Sequence, residues 1–133
     1  MKNSWGNKAW YFLHTVALAY PNNPTQKEKE DYKLFYNNLQ YILPCEICRK
    51  NFKQNIIDSP IDKHLTDSIS LFNWTVDIHN MVNKELNKTQ ITYDVAYNIY
   101  SNNGTSFTKK NIIIYGIGII FLLYIIKKMI TKK

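Results

Sequence analysis

Cys45 and Cys48 are the only cysteines in this 133-residue chain, and they stand three apart in Pro44-Cys45-Glu46-Ile47-Cys48. Pro44 ends one helix and Cys45 opens the next, where unpaired N–H groups and the helix dipole favour a thiolate. Two cysteines one helical turn apart can close a disulfide, as redox CxxC motifs do. The same spacing also suits two buried thiols or half of a zinc site. Zinc needs two more ligands, and His14, His64 and His79 lack the paired spacing of a finger or knuckle, so no metal is expected. A thioredoxin-type setting needs a strand–helix–strand pattern, which is absent.

A second constellation is aromatic and amide-rich. Gly6, Trp10 and His14 fall at i, i+4 and i+8, a single line down one helix. His79 and Asn83 stand one turn apart on another, with Asn80 and Lys84 beside them. Trp10 and His14 alone would suit plain core packing. Asn80 and Asn83 need a reason to occupy a helix interior, which asparagine disfavours. A flat ligand with ring nitrogens, carbonyls and phosphates would take tryptophan for stacking and His and Asn for hydrogen bonds.

The elements that must position these residues read as helices, with no period-2 strands. Apolar spacing predicts a first helix over Ser4 to Tyr20, stopped by Pro21-Asn22-Asn23-Pro24. Thr25-Gln26-Lys27-Glu28 fits a capping box opening a helix that carries Tyr32, Phe35, Leu39 and Ile42. Leu43-Pro44 interrupts it. A third helix is expected from Cys45 to about Ile57, then a turn at Ser59-Pro60. The fourth is predicted over Thr66 to Leu86, with Leu71, Trp74, Ile78, Val82 and Leu86 as its stripe. A shorter one covers Tyr93 to Tyr100, and Ser101-Asn102-Asn103-Gly104 reads as a linker. Four helices with short loops suggest a compact bundle.

The net charge of +7 invites a nucleic-acid reading until the charges are placed. Lys109, Lys110, Lys127, Lys128, Lys132 and Lys133 flank one apolar run, and removing those six from the 17 basic residues leaves eleven against ten acidic ones. A nucleic-acid footprint needs a basic patch on the domain itself, so no nucleic-acid partner is expected. Ile112 to Ile126 is apolar without interruption. Extended to Asn111 and Ile130, with lysines snorkelling, it reaches the length of about 20 residues that a bilayer crossing needs. A soluble core helix would rarely be apolar on every face. The run therefore reads as a C-terminal transmembrane anchor, inserted after translation, with residues 1–108 left in the cytosol. Met1-Lys2 with Ala9 to Ala19 mimics a signal peptide, but Trp5 and His14 interrupt it. Asn73, Asn87 and Asn103 head Asn-x-Thr sequons, read as chance because two fall in or at the end of the fourth helix.

In order along the chain stand Trp5-Gly6-x3-Trp10-x2-Leu13-His14-Thr15, Tyr20-Pro21, Pro24, Pro44-Cys45-x2-Cys48, Trp74, His79-Asn80-x2-Asn83 and Leu86-x-Lys88. This ordered set resembles the Erv/ALR sulfhydryl oxidases, closest in character to short forms from large DNA viruses. The resemblance runs from Trp5 to Lys88. It implies an all-α fold, a four-helix bundle with a short fifth helix, in which residues 1–100 hold FAD. Beyond that domain the residues themselves, not the resemblance, lead us to expect a linker over 101–110, the transmembrane helix over 111–130 and a basic tail over 131–133.

By position, the resemblance gives Cys45 and Cys48 the redox chemistry. Gly6, Trp10 and His14 would contact FAD from the first helix, and His79, Asn80, Asn83, Lys84 and Lys88 from the fourth and its end. Tyr100 is the nearest counterpart of an aromatic that the family buries after the fourth helix. The implied reaction is FAD-dependent thiol oxidation, forming disulfides in protein substrates and passing electrons to dioxygen to give hydrogen peroxide. Cys48 would lie nearer the flavin and Cys45 would exchange with substrate. The expected partners are a thiol-containing substrate or relay protein, dioxygen, a host or virion membrane, and a second copy in a homodimer. The family's second, structural disulfide and its distal shuttle CxxC are both missing. Electrons must then enter Cys45–Cys48 directly from another protein, and the domain is expected to lean on its cofactor for stability. The competing reading is a tail-anchored helical adaptor without flavin, which the intact Cys45, Cys48, His79 and Asn80 disfavour.

Overall fold

The computed structural model describes residues 5–101. They form five α-helices, with no strand among the described residues: α1 (Gly6–Leu18), α2 (Gln26–Ile42), α3 (Glu46–Asp58), α4 (Ser68–Glu85) and α5 (Tyr93–Ser101). A 3₁₀ turn, Ile61–His64, lies between α3 and α4. It was not expected from the sequence, which marks only the Ser59-Pro60 turn before it.

Local chemistry sets most of the boundaries. The capping box at the start of α2 is complete. The Thr25 hydroxyl accepts the Glu28 N–H at 3.3 Å, and the Glu28 carboxylate accepts the Thr25 N–H at 2.7 Å. Leu43 ends α2 in an extended conformation (φ −54°, ψ 137°), as the ring of a following proline demands. Cys45 caps α3. The start of α4 falls later than predicted because Asp67 takes the cap, accepting the Ser70 N–H at 2.8 Å.

The end of α4 is a Schellman motif. Asn87 turns left-handed (φ 53°), a conformation asparagine tolerates better than most residues. Its N–H reaches the Lys84 carbonyl at 3.1 Å, and the Lys88 N–H reaches the Asn83 carbonyl at 2.7 Å. Lys88 is thereby folded back over the last turn, next to Asn83.

The core is built around α4, which packs against α1, α3 and the 3₁₀ turn while α2 packs against α3. Leu71, Phe72, Trp74, Thr75, Val76 and Ile78 are all buried, so the first half of α4 is enclosed on more sides than one stripe. The predicted stripe fades beyond Ile78: Val82 is half-buried and Leu86 is 50% exposed. There α4 leaves the core and becomes the wall of a cavity. Buried polar tips are satisfied: Tyr36 Oη donates to the Leu13 carbonyl (2.8 Å), Tyr20 Oη to that of Leu65 (3.1 Å) and Trp74 Nε1 to that of Ser59 (2.8 Å).

No helix among the described residues is long and apolar enough to cross a membrane. The expected transmembrane helix (111–130), the basic tail and the linker beyond Ser101 all lie outside the described residues.

Trp74 and Thr25 offer a contrast between packing and capping. Trp74→Ala removes a side chain that is 1% exposed and should destabilise the fold by about 3–5 kcal/mol. Thr25→Ala removes one exposed cap and should cost about 1 kcal/mol. Urea denaturation of both variants checks the ranking, and a larger loss at Thr25 would contradict it.

Candidate active site

Cys45 and Cys48 are joined by a disulfide with their Cα atoms 5.1 Å apart. Cys45 has an extended backbone just outside α3, and its Sγ accepts the Cys48 N–H at 3.3 Å. A helix N-terminus is therefore aimed at this sulfur, the setting that stabilises a thiolate there. The Arg49 side chain donates to the Leu43 carbonyl, tying the first turn of α3 to the end of α2.

Both cysteines are half-buried and face a cavity of about 370 Å³. Gly6 and Trp10 line it from α1, and His79, Asn83 and Lys88 from α4 and its end. The two cysteines thus share one cavity with four residues of the second constellation, Gly6, Trp10, His79 and Asn83, and with Lys88, which the resemblance added. An added Cβ at Gly6 would meet nothing within 4 Å, so packing within the protein does not demand glycine there. The Trp10 and His79 rings stack at 4.1 Å, only 8° from parallel. Asn83 is buried, yet its amide makes no hydrogen bond among the described residues, and no buried side-chain N or O atom there lacks a partner. The amide is therefore open to the cavity.

His14 is not on the cavity wall. It is fully buried behind Trp10 and His79, with Nδ1 2.8 Å from Thr75 Oγ1 and Nε2 3.1 Å from His79 Nδ1. Tyr100 covers it, with ring centroids 4.2 Å apart. Burial, and secondarily His79, pushes the His14 pKa down to about 3. Burial, and secondarily the charge of Lys88, lowers His79 to about 4. Both rings are neutral at neutral pH.

Asn80 and Lys84 are placed differently from the rest. The Asn80 amide is spent on backbone, donating to the Ile91 carbonyl at 2.8 Å and accepting the Ile91 N–H at 3.0 Å. It clasps the α4–α5 loop and explains an asparagine inside a helix without any ligand. Lys84 is exposed and does not line the cavity.

Two features of the site escaped the sequence reading. Glu85 lines the cavity and accepts from Asn51 at 2.7 Å and Asn55 at 3.0 Å, so it ties the helix carrying the cysteines to the helix carrying His79. The i, i+4 spacing of Asn51 and Asn55 was a readable signal for a shared partner, but the partner's identity was not. Thr75, which holds His14 from behind, carried no signal at all.

The Erv1 / Alr family model matches residues 7–102. A probable FAD-linked sulfhydryl oxidase of Acanthamoeba polyphaga mimivirus is 43% identical over 93 residues, covering 69% of this chain and 65% of that protein. The FAD-linked sulfhydryl oxidase of an African swine fever virus isolate (Pig/Kenya) is 34% identical, over 74% of this chain and 82% of its own. The mitochondrial FAD-linked sulfhydryl oxidase of Saccharomyces cerevisiae is 35% identical over 62% of this chain, a match spanning 43% of that protein. The match thus spans just under two thirds of the mimivirus protein and less than half of the yeast one. The crystal structure of the yeast Erv1 core superposes with a TM-score of 0.72 at 29% identity, covering 77% of this chain and 86% of that one.

The neutral His pair makes stability depend on pH in a definite direction. Folded values of about 3 and 4 lie below the ordinary 6.5, so between them the unfolded chain binds more protons. The histidines cost nothing above pH 6.5 and penalise the fold progressively as pH falls from 6.5 towards 4. The urea midpoint should drop over that window, and His14→Gln should flatten the drop. A midpoint that rises on acidification would show that one ring is charged in the native state.

Proposed function

This chain belongs to the Erv1 / Alr family, and we propose that within it the protein is an FAD-dependent thiol oxidase that forms disulfides in protein substrates. The observation that carries this reading is the single cavity onto which the Cys45–Cys48 disulfide, the Trp10–His79 stack, the open Asn83 amide and Lys88 all face. A redox-active pair beside a stacking surface, an amide and a cation suits a flat cofactor with polar edges and phosphates.

Trp10 and His79 would supply the stacking surface, Asn83 hydrogen bonds, Lys88 positive charge and Gly6 clearance. His14 would act from behind through His79, and Asn80 by holding the loop at Ile91. Lys84 faces solvent at the end of α4, where it would reach only parts of the cofactor outside the cavity. The chemistry such a cofactor would supply is a two-electron acceptor for the reduced cysteine pair and an outlet to dioxygen, giving hydrogen peroxide.

The chain's own part begins with a substrate thiolate attacking Cys45 Sγ. A bond forms between substrate and Cys45, and the Cys45–Cys48 bond breaks with its electron pair on Cys48. A second substrate thiol attacks the substrate sulfur and releases Cys45, leaving a substrate disulfide and a reduced pair. The Cys48 N–H pointing at Cys45 Sγ stabilises the Cys45 thiolate as that leaving group. This supports Cys45 as the exchanging cysteine and Cys48 as the one nearer the cofactor.

Residues 111–130 would hold the domain at a membrane, supported by their unbroken apolar run between lysines. Exposed Phe12, Leu34, Tyr41 and Ile42 give α1 and α2 apolar surface suited to a second copy.

The deciding experiment is the visible spectrum of the purified protein together with thiol-dependent peroxide release. A yellow protein that consumes oxygen with a dithiol substrate is expected; a colourless one ends the oxidase reading. Cys45→Ser and Cys48→Ser should both abolish turnover. Oxidised glutathione should mark Cys45 in Cys48→Ser faster than it marks Cys48 in Cys45→Ser, read by mass spectrometry. The opposite order would reverse the two roles. Removing residues from Phe107 onward should release the protein from membranes with its flavin content unchanged, because no residue assigned to the cavity lies beyond that point.

A further inference from the structure

Behind the cavity wall runs a line of polar atoms whose proton order the oxidase reading does not specify. Thr75 Oγ1 lies 2.7 Å from the Phe72 carbonyl oxygen and 2.8 Å from His14 Nδ1, and His14 Nε2 lies 3.1 Å from His79 Nδ1. The remaining ring nitrogen, His79 Nε2, has no hydrogen bond among the described residues. No buried side-chain nitrogen or oxygen there is left without a partner, so Nε2 is accessible, and His79 lines the cavity.

The direction of the line follows from its fixed end. A carbonyl oxygen can only accept, so the 2.7 Å contact with Phe72 holds the Thr75 hydroxyl proton. That hydroxyl then offers only lone pairs to His14, which places the His14 proton on Nδ1. A neutral imidazole carries one N–H, so His14 Nε2 accepts and the proton between the rings belongs to His79 Nδ1. His79 is neutral too, which leaves a lone pair on its Nε2. The reverse order would set two oxygens 2.7 Å apart with no proton between them and give up one of three buried hydrogen bonds.

We propose that Thr75 is a positioning residue. Its hydroxyl, anchored on the Phe72 carbonyl, fixes the His14 tautomer and through it makes His79 present an acceptor, Nε2, to the cavity. This point of the wall then selects a ligand N–H or O–H group and turns away an anionic oxygen, which is left to Lys88. The ligand's identity rests on the FAD reading; the order of the protons does not.

The test reads the ring protons directly. In the full chain labelled with ¹⁵N-histidine, long-range ¹H–¹⁵N correlation should find His79 protonated on Nδ1 and bare on Nε2. Thr75→Val keeps the shape but offers His14 Nδ1 a methyl group. The proton should move to His14 Nε2, which drives the His79 proton out to its own Nε2. Thr75→Ser should keep the wild-type pattern, with His64 as an unaffected reference. FAD should bind Thr75→Val about tenfold more weakly and Thr75→Ser within about twofold of wild type. A proton on His79 Nε2 in the wild type overturns the proposal, and that measurement stands even if Thr75→Val does not fold. Weaker FAD binding in Thr75→Val with unchanged tautomers also overturns it, since Thr75 would then be merely structural. The stated tautomers in a chain that binds no flavin would uphold the relay and remove the FAD reading instead.

Discussion

His14 is an aromatic ring with two polar nitrogens and no exposure to solvent. An interior site tolerates such a group only if both nitrogens find partners, since an unsatisfied buried polar atom costs about 1–3 kcal/mol. Meeting that condition brings Thr75 and His79 to fixed distances on either side of it. Those two residues stand four apart on α4, so satisfying His14 fixes both the axial register and the rotation of α1 against α4. Trp10, one turn earlier on α1, then falls directly on the His79 ring. The wall of the cavity is a consequence of how one buried histidine is satisfied.

The opposite wall is held by a second polar tie. Glu85 accepts from both Asn51 and Asn55, so α3 cannot slide along α4 without breaking two hydrogen bonds to a carboxylate, the stronger kind. The cysteines sit at the N-terminus of α3 and the Asn83 amide near the C-terminus of α4. With few large apolar side chains left at this end of α4, polar ties do the positioning that packing does elsewhere. α5 is attached in the same manner, through the Asn80 clasp on Ile91 and the 2.7 Å bond from Tyr93 to Asp77, and its Tyr100 completes the cover over His14.

The domain therefore divides into a packed half and a wired half. Around Leu71, Phe72, Trp74 and Val76, shape and apolar burial dominate, and buried aromatics spend their polar tips on backbone carbonyls. Beyond Ile78 one side of the same helix lines the cavity, and side-chain hydrogen bonds there supplement the packing of Met81 on the core and of His79 on Trp10. A ligand entering the cavity would meet side chains already oriented, so less of its binding energy would be lost in ordering them.

Much of this was legible in the sequence because it is local. The capping box at Thr25, the break at Leu43-Pro44, the helix opened by Cys45 and the apolar spacing of α4 as far as Ile78 depend on residues within a few positions of one another. The CxxC pair is equally local, since one helical turn brings its sulfurs together. The ordered set from Trp5 to Lys88 carried the family resemblance, and with it the residues that share the cavity. Tertiary structure alone decided what depends on a distant partner. Asn80 and Asn83 have the same side chain on the same helix, yet Ile91 claims one amide and leaves the other open to the cavity. His14 and His79 differ in the same way, one sealed behind the wall and the other forming it. Thr75 stands outside the ordered family set and matters here because His14, 61 residues away, needs an acceptor. The sequence determined which chemical groups were present and which short segments would be helical. Which of those groups face a ligand depends on hydrogen bonds between helices, and no spacing along one helix encodes them.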